Sequence, residues 1–378
     1  MPTKKIVIET PKSTVVANYQ AGARTETQYQ SEAALEEAFI RLLQDQAYEY
    51  LPLHTEQELI SNLRRQMEAL NDISFTDTEW KRFYTTILAN QNNGIVEKTR
   101  LIQEDNVQTF LFDNGEQKNL RIFDRKNVHN NRLQVINQYT PEGGARDNRY
   151  DVTILVNGLP LVHVELKRRG VPIREAFNQI NRYQRESFWS GTGLFQYVQI
   201  FVISNGTETK YYSNTTRFAH VRLNGGKQKP GQGRHTSKSF EFTSWWADEQ
   251  NVPITDLMDF TKTFFAKHTL LYIIAKYCVF TSEQLLMVMR PYQICATEKI
   301  INRIIIAHNY HWEGSLQAGG YIWHTTGSGK TLTSFKTARL ATQLDFIDKV
   351  VFVVDRKDLD YQTMKEYDRF EKGAANSN

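Results

Sequence analysis

The chain has 378 residues, of which 40% are hydrophobic and 12% are aromatic, so it is long enough to form two domains with sizeable cores. Its net charge of +4 is small, and total charge alone therefore does not indicate a nucleic-acid partner. The two cysteines, Cys278 and Cys295, lie in no CxxC pair, which excludes a disulfide framework and a cysteine zinc site and is typical of a reducing cytoplasm.

Neither the N-terminus nor any apolar segment predicts insertion into a membrane. The first residues, MPTKKIVIETPKST, lack the apolar run of a signal peptide. The most apolar segment, residues 264–280, is interrupted by Lys267, His268 and Lys276, which predicts a buried helix and not a membrane span. We therefore expect a cytoplasmic protein with no membrane partner.

The first predicted elements are helices. Residues 1–27 are polar and are expected to be poorly ordered. Ser31 is a typical N-cap, and the residues after it place four apolar side chains on one helical stripe: Leu35, Phe39, Leu42 and Leu43. A second helix is predicted to begin near Thr55.

The hydrophobic period changes near residue 107, where short strands begin. Single strands are predicted over the segments 107–112, 120–125, 133–140, 198–206 and 209–214. Residues 150–167 predict two strands joined at Asn157-Gly158, and a helix is predicted over 173–188.

Residues 221–240 form a glycine-rich segment that contains no acid and five cations: Arg222, Lys227, Lys229, Arg234 and Lys238. This composition predicts a surface loop with two possible roles, a solvated loop or a contact with DNA phosphates. A helical connector is predicted after it, over 254–289.

Three charged residues lie on the two strands joined by Asn157-Gly158. Asp151 begins the first strand, and Glu165 and Lys167 follow on the second, where side chains two residues apart share one face. Two neighbouring carboxylates repel unless a cation lies between them, and their hard oxygens favour Mg²⁺. The ammonium can orient a water and neutralise a phosphate. The alternative interpretation is a surface ion pair.

The cation site requires Asp151 and Glu165 on the same face of the sheet. A two-residue turn at Asn157-Gly158 would place Asp151 opposite Val164, away from Glu165. We therefore predict a three-residue connection with Gly158 at positive φ, which shifts the register by one residue.

These residues resemble the PD-(D/E)xK nuclease superfamily, with Tyr150 where the superfamily has proline. Its helicase-associated branch has a Q-x-x-x-Y pair near the substrate, which Gln179 and Tyr183 match on the following helix. The resemblance implies Mg²⁺ as cofactor and five catalytic residues: Asp151, Glu165, Lys167, Gln179 and Tyr183. An acid of the first helix, Glu36 or alternatively Glu32, would complete the metal site formed by Asp151 and Glu165.

The segment GGYIWHTTGSGKT predicts a strand, a glycine-rich loop and a helix, the order of a phosphate-binding loop. His324 replaces the first glycine of the strict pattern, and the loop resembles that of superfamily-two helicases. The residues expected to contact ATP and its Mg²⁺ are Thr326, Gly327, Ser328, Gly329, Lys330 and Thr331. Upstream, Gln293 resembles the Q motif that reads adenine in those helicases, and residues 350–355 predict a second parallel strand.

Together these motifs resemble the restriction, or motor, subunit of type I restriction–modification enzymes. The resemblance rests on SEAALEEAF, the charged set on the hairpin, the Q-x-x-x-Y pair, CVFTSEQLLMVMRPYQ, WHTTGSGKT and FVVDRKDLDYQT. It implies an α/β chain in three parts. These are a PD-(D/E)xK endonuclease domain at 1–253 with a mixed sheet flanked by helices, the connector at 254–289, and the start of a RecA-like superfamily-two helicase domain at 290–378.

The resemblance further implies cleavage of duplex DNA, coupled to ATP-driven translocation, in a complex with methylation and specificity subunits. The Asp-Glu motif that follows in such motors is missing, so we expect a fragment that lacks DNA-stimulated ATPase activity. The residues after about 355 are expected to be poorly ordered or to associate with another chain. Two alternatives are a recombination or repair helicase-nuclease, which usually carries its nuclease after the motor, and a non-catalytic assembly module.

Overall fold

A computed structural model describes residues 4–5, 18–19, 31–141, 148–214, 240, 242–354 and 357–374 of the chain. The expectations for residues 1–27 and for the basic segment 221–240 therefore lie almost entirely outside the described residues. The described helices are α1 (Glu32–Asp45), α2 (Glu56–Asn71), α3 (Asp77–Phe83), α4 (Ile95–Gln103), α5 (Arg174–Glu186), α6 (Leu257–Thr263), α7 (Lys267–Lys276), α8 (Pro291–Asn309), α9 (Lys330–Ala341) and α10 (Lys357–Phe370).

The described strands are β1 (Lys4–Lys5), β2 (Asn18–Tyr19), β3 (Glu49–Tyr50), β4 (Val107–Leu111), β5 (Gln117–Arg121), β6 (Leu133–Tyr139), β7 (Tyr150–Val156), β8 (Leu159–Leu166), β9 (Ile200–Ser204), β10 (Thr209–Ser213), β11 (Cys278–Phe280) and β12 (Leu286–Val288). Short π-helical or 3₁₀ turns cover Tyr84–Leu88, Val128–Asn130, Leu194–Tyr197 and Leu316–Ala318.

Six of these strands form one mixed sheet in the order β10-β9-β8-β7-β6-β3. β6, β7 and β8 form an antiparallel meander, whereas β8 runs parallel to β9 and β3 runs parallel to β6. Every residue of β8 is buried, so this strand is covered on both faces of the sheet. The predicted mixed sheet flanked by helices is confirmed at this level.

The first two helices begin where the sequence predicts. Oγ of Ser31 accepts a hydrogen bond from the Ala34 amide and so caps α1, which buries three of the four predicted apolar residues: Leu35, Phe39 and Leu43. Thr55 and Glu58 form a capping box at the start of α2. These caps supply hydrogen bonds to amides that the first turn of each helix leaves unpaired.

The turn between β7 and β8 differs from its prediction. Asn157 and Gly158 have φ of 53° and 82° and form a two-residue turn in which Val156 pairs with Leu159. The positive φ at Gly158 is confirmed, but the predicted three-residue connection is wrong. A two-residue turn with both residues at positive φ matches the twist of the flanking strands, which is why Asn-Gly favours it. A Cβ at position 158 would also lie only 2.7 Å from Cα of Leu63.

The predicted one-residue shift occurs inside the hairpin and not at its turn. A β-bulge next to Leu155 leaves Leu161 as the extra residue on β8, and beyond it Val152 pairs with Val164. Continuing this register places Asp151 opposite Glu165, whereas the plain register would place it opposite Val164. The prediction that the two carboxylates share a face is therefore confirmed, although the bulge supplies the shift.

The C-terminal part corrects three predictions. The segment predicted as a helical connector contains α6 and α7 but also the β11–β12 hairpin. The strands predicted before the glycine-rich loop and at 350–355 do not form over the described residues, where four apolar side chains are at least 80% exposed: Tyr321, Trp323, Val351 and Val353. Strand propensity alone does not make a strand, because a strand needs a hydrogen-bonded neighbour.

Residues 357–370 form α10, so poor order after residue 355, the first of the two expected alternatives, is wrong for this segment. The hydroxyl of Tyr367 donates to Oγ of Ser334, which ties α10 to α9. Among the described residues, no helix has the length and hydropathy to cross a membrane.

Candidate active site

The bulge brings Asp151, Glu165 and Lys167 together at one end of the β7–β8 hairpin. Oδ2 of Asp151 accepts a hydrogen bond from the Leu166 amide at 2.8 Å, which ties the two strands at this point. Nζ of Lys167 lies 3.4 Å from Oε1 of Glu165 and donates to the Leu166 carbonyl at 2.9 Å. A carboxyl pair and an ammonium thus meet beside the backbone of Leu166, whose amide contacts Asp151 and whose carbonyl contacts Lys167.

The two carboxyl groups perturb each other. Glu165 is fully buried, and Asp151 is half-buried. Burial and then the charge of Glu165 raise the pKa of Asp151 to about 8. Burial likewise raises the pKa of Glu165 to about 8, against the opposing effect of the Lys167 ammonium. Two neighbouring carboxyl groups with raised pKa values retain a proton near neutral pH unless a bound cation replaces that proton.

A buried histidine lies beside Glu165. His163 precedes Glu165 by two residues on β8 and, like Glu165, is 0% exposed. Its Nε2 is 3.4 Å from Oε2 of Glu165, and its Nδ1 is 3.2 Å from Oγ1 of Thr153 on β7. Burial lowers the pKa of His163 to about 4, so the imidazole is neutral at pH 7.

Glu36 approaches from α1. Its two carboxylate oxygens accept hydrogen bonds from Nδ2 of Asn137 at 2.6 Å and from Nε2 of Gln138 at 2.5 Å. Gln138 has a φ of 54°, a left-handed conformation that is uncommon for a residue with a side chain. Burial raises the pKa of Glu36. A cleft of about 680 Å³ is lined by Glu36, Arg149 and Asp151, so the predicted α1 acid and the hairpin acid face one space.

Glu32, the alternative acid of α1, lines the same cleft but lies at its edge. Its Oε1 accepts a hydrogen bond from the Arg168 amide at 3.3 Å, and Glu32 is exposed whereas Glu36 is 8% exposed. The buried position of Glu36 beside the cleft favours Glu36 over Glu32.

Gln179 and Tyr183 contact each other on α5, as their spacing predicts. Nε2 of Gln179 donates to the hydroxyl of Tyr183, and that hydroxyl donates to the Arg149 carbonyl at 2.9 Å. The Tyr183 ring lies 6.1 Å from the His163 ring, so α5 covers the face of the hairpin that carries His163. The charge of Arg182 on the same helix also favours the ionised form of Glu165.

The donor set around the hairpin suits a hard divalent cation. Asp151 and Glu165 supply carboxylate oxygens and Leu166 supplies a backbone carbonyl, and Oε2 of Glu165 is buried without a hydrogen bond in the described residues. Glu36 does not close a three-acid cluster with them. Within the part of the chain that is described, no group of three His, Cys, Asp or Glu side chains has a metal-binding arrangement. The fit therefore rests on the two hairpin carboxylates and the carbonyl.

The predicted phosphate-binding loop contains two glycines at positive φ directly before a helix. Gly327 and Gly329 have φ of 78° and 79°, and α9 begins directly after them at Lys330. Nζ of Lys330 lies within the loop, where it donates to the carbonyls of His324 at 3.4 Å and Thr325 at 3.2 Å. The first turn of α9 thus directs its free amides toward the loop.

Gln293 holds this loop from the start of α8. Its Oε1 accepts a hydrogen bond from the Arg290 amide at 2.9 Å, and its Nε2 donates to the Ser328 carbonyl at 2.9 Å. The hydroxyl of Tyr292 donates to the same carbonyl at 2.8 Å. Gly329 has a φ of 79°, which favours glycine, and a Cβ there would also lie 2.4 Å from Nε2 of Gln293. Both ends of the Gln293 amide are therefore engaged, Oε1 at the start of α8 and Nε2 in the loop, and the contact with the loop is a role that its resemblance to an adenine-reading motif does not include.

Family comparisons identify the two parts of the chain separately. The model of the family described as "Type I restriction enzyme R protein N terminus" matches residues 29–220, just over half of the chain, and this range contains the whole hairpin site. The chain belongs to the type I restriction enzyme R protein family. Residues 292–378 of this R-protein chain match the model of the SWI2/SNF2 ATPase family, and this second range contains the phosphate-binding loop.

Relatives of this R-protein chain differ in length. The type I restriction enzyme EcoprrI endonuclease subunit of Escherichia coli is 47% identical over 301 residues, which cover 79% of this chain and 90% of the relative. The SsaAORF53P endonuclease subunit of Staphylococcus saprophyticus and the SauMSSORF170P endonuclease subunit of Staphylococcus aureus are each 40% identical over 352 residues. Those matches cover 92% of this chain but 34% of each staphylococcal relative, so the chain spans about a third of their length.

The sequence analysis missed four polar residues of the site in this R protein: Asn137, Gln138, Thr153 and His163. Thr153 follows Asp151 by two residues, and His163 precedes Glu165 by two, so strand alternation could have placed both on the catalytic face. Asn137 and Gln138 carry no such signal, because the left-handed Gln138 interrupts the alternation of β6.

Proposed function

We propose that this chain is the nuclease-bearing part of a type I restriction subunit and that it cleaves duplex DNA with Mg²⁺ as cofactor. The observation that carries the proposal is the meeting of Asp151, Glu165 and Lys167 beside the backbone of Leu166, an arrangement that resembles the PD-(D/E)xK nucleases. We assign residues 1–253 to an endonuclease domain of that fold, 254–289 to a connector, and 290–378 to the start of a RecA-like helicase domain.

The roles follow from the positions of the side chains. Asp151, Glu165 and the Leu166 carbonyl would hold Mg²⁺, which when bound supplies Lewis-acid polarisation of the phosphate and a more acidic water. Lys167 would orient the attacking water and neutralise charge on the phosphate, because its Nζ already lies 3.4 Å from Glu165. Glu36, buried across the cleft from Asp151, is the α1 acid that we assign to this site.

The remaining predicted residues position the site or the nucleotide. Gln179, half-buried on α5, would contact the DNA backbone, and Tyr183, which is 1% exposed, would hold Gln179 in place through the hydrogen bond between them. The loop 326–331 would bind the phosphates of ATP, and Lys330 would exchange its two carbonyl contacts for phosphate oxygens. In the complete enzyme, ATP-driven translocation would precede cleavage, with methylation and specificity subunits as partners. The names of the relatives support the restriction assignment, and the SWI2/SNF2 similarity supports the ATP site.

The test measures two activities of a full-length R subunit that contains these residues, assembled with its methylation and specificity subunits: cleavage of unmethylated plasmid DNA and release of phosphate from ATP. Asp151→Asn and Lys167→Gln should each lower cleavage by at least about 100-fold and leave phosphate release within about twofold, because the two activities use separate sites. Lys330→Ala should abolish both activities, since translocation precedes cleavage.

The matched control is Glu37→Gln, an exposed acid of the same cleft that pairs with Arg41. It should change neither activity, because an exposed ion pair contributes little. A folded Asp151→Asn protein that still cleaves DNA at the parent rate would refute the nuclease assignment. Loss of phosphate release together with cleavage in that variant would refute the separation of the two sites.

A further inference from the structure

The bulge at Leu161 assembles a second polar pair behind the first. Beyond the bulge Thr153 pairs with His163, and the next residues on the same face are Asp151 and Glu165. In the plain register of a two-residue turn Thr153 would instead oppose Val162, and its hydroxyl would have no polar partner on the facing strand. One extra residue therefore creates both a carboxylate pair and a hydroxyl–imidazole pair.

The two oxygens of Glu165 have different neighbours. Oε1 lies 3.4 Å from Nζ of Lys167, at the open side of the site. Oε2 points the other way and lies 3.4 Å from Nε2 of His163. Both of these facing atoms, Oε2 of Glu165 and Nε2 of His163, are buried and make no full hydrogen bond within the described residues. A small rotation of the carboxylate would close this contact to hydrogen-bond distance.

The hydrogen bond at Nδ1 of His163 is coupled to the position of the imidazole proton. Nδ1 lies 3.2 Å from Oγ1 of Thr153. When the threonine hydroxyl donates to Nδ1, the single proton of the neutral imidazole must reside on Nε2, facing Glu165. The ring cannot easily turn over, because four aromatic rings enclose it with centroids 5.5 to 6.4 Å away: Tyr150, Tyr183, Phe188 and Phe201.

We propose that Thr153 and His163 form a positioning pair for Glu165, in which Nε2–H of His163 donates to Oε2 and leaves Oε1 free for the cation and Lys167. The inference rests on the proposed function, because it assumes that Glu165 binds the cation. His163 contacts neither DNA nor cation and acts through Glu165. Outer partners that orient a ligand in this way typically change metal affinity by about 10- to 100-fold when they are replaced.

Four variants test the pair through the stabilisation of the full chain by Mg²⁺ alone, measured by thermal melting across a Mg²⁺ titration. His163→Phe fills the aromatic enclosure without a donor and should raise the half-saturating Mg²⁺ concentration by about 10- to 100-fold. His163→Gln keeps an N–H near the same place and should stay within about threefold. Thr153→Val should be intermediate. The double variant Thr153→Val with His163→Phe should be no worse than His163→Phe, because Thr153 acts only through His163.

A second readout examines the parent chain directly and does not depend on activity. With ¹⁵N-labelled histidine, the His163 signal among nine histidines is identified by its loss in His163→Gln. The spectrum should show a protonated Nε2 and an unprotonated Nδ1 at neutral pH. In the assembled complex, His163→Phe should lower cleavage in parallel with Mg²⁺ affinity and leave phosphate release unchanged.

Three results would overturn the inference: a proton on Nδ1, a His163→Gln protein as defective as His163→Phe, or additive effects in the double variant. If His163→Phe does not fold, the His163→Gln titration and the parent spectrum still decide. Failure of the proposed function has a different signature, since the parent chain itself would then show no stabilisation by Mg²⁺ and no cleavage, whatever the tautomer of His163.

Discussion

Glu165→Gln is expected to make the cation-free protein more stable while it abolishes cleavage. Burial raises the pKa of Glu165 from the ordinary 4.5 to about 8, so the folded chain retains a proton that the unfolded chain releases within this range. The unfolding free energy of the parent therefore falls as pH rises from 4.5 to 8, and the loss is absent below this window. Glutamine has the shape of glutamic acid but never ionises, so the variant lacks this loss.

The magnitude follows from the width of the window. One pH unit corresponds to about 1.4 kcal/mol, so between pH 4.5 and pH 7 the parent loses about 3 kcal/mol through Glu165. The substitution also removes the partner of Lys167, which costs roughly 1 kcal/mol because that ammonium is largely buried. We expect a net gain of about 2 kcal/mol for Glu165→Gln at pH 7 and no gain at pH 4.5.

The assay is urea unfolding of the parent and the variant at several pH values with a chelator present, followed by the same series with Mg²⁺. The advantage of the variant should grow from pH 4.5 to 8 without cation and should shrink when Mg²⁺ stabilises the parent alone. Glu37→Gln, whose side chain is 64% exposed in the parent, serves as the control and should show no such trend. A Glu165→Gln protein that is less stable than the parent at pH 8, or a difference independent of pH, would refute the reasoning.

Three further predictions concern other parts of the chain. Gly158→Ala should lower the unfolding free energy, measured by urea unfolding, by at least about 2 kcal/mol, because φ is 82° and the new Cβ would lie 2.7 Å from Cα of Leu63. A loss below about 0.5 kcal/mol would contradict the turn geometry. Gln293→Ala should weaken ATP and GTP binding equally, by roughly tenfold in a fluorescent-nucleotide titration, because Gln293 donates a hydrogen bond to the Ser328 carbonyl of the loop. A loss of affinity for ATP alone would show that Gln293 reads adenine instead. Burial lowers the pKa of Lys98 to about 8, so above this pH the folded chain binds fewer protons than the unfolded chain. The unfolding free energy of the parent should therefore rise between pH 8 and 10 relative to that of Lys98→Met, and parallel pH profiles of the two proteins would contradict this.

The sequence predicted the residues of the site better than their geometry. Asp151, Glu165 and Lys167 could be selected because charged side chains are rare on an apolar strand and strand alternation assigns them to faces. The location of the register shift could not be predicted, since a bulge depends on packing around Leu161 and not on a local residue preference.

In the C-terminal part, the sequence predicted local backbone geometry but not the pairing of strands. Glycine positions fixed the loop before Lys330, because positive φ is a local requirement. The strands predicted beside the loop depended on neighbours elsewhere, and apolar side chains such as Trp323 and Val353 remain exposed in the described segment. Local signals were reliable for caps and turns, whereas pairing across long separations required the structure.

The bulge at Leu161 determines whether opposed residues of the hairpin are an odd or an even number of positions apart in the sequence. In a hairpin closed by a two-residue turn, directly opposed residues are separated by an odd number of positions unless an extra residue intervenes. Asp151 and Glu165 are 14 positions apart, an even number, so their meeting requires one odd irregularity between them. Insertion or deletion of a single residue in that interval would turn one carboxylate to the other face, whereas a change of two residues would preserve the pair. Insertions or deletions in this hairpin therefore keep both carboxylates on one face only if they change its length by an even number of residues, or if a bulge is gained or lost at the same time.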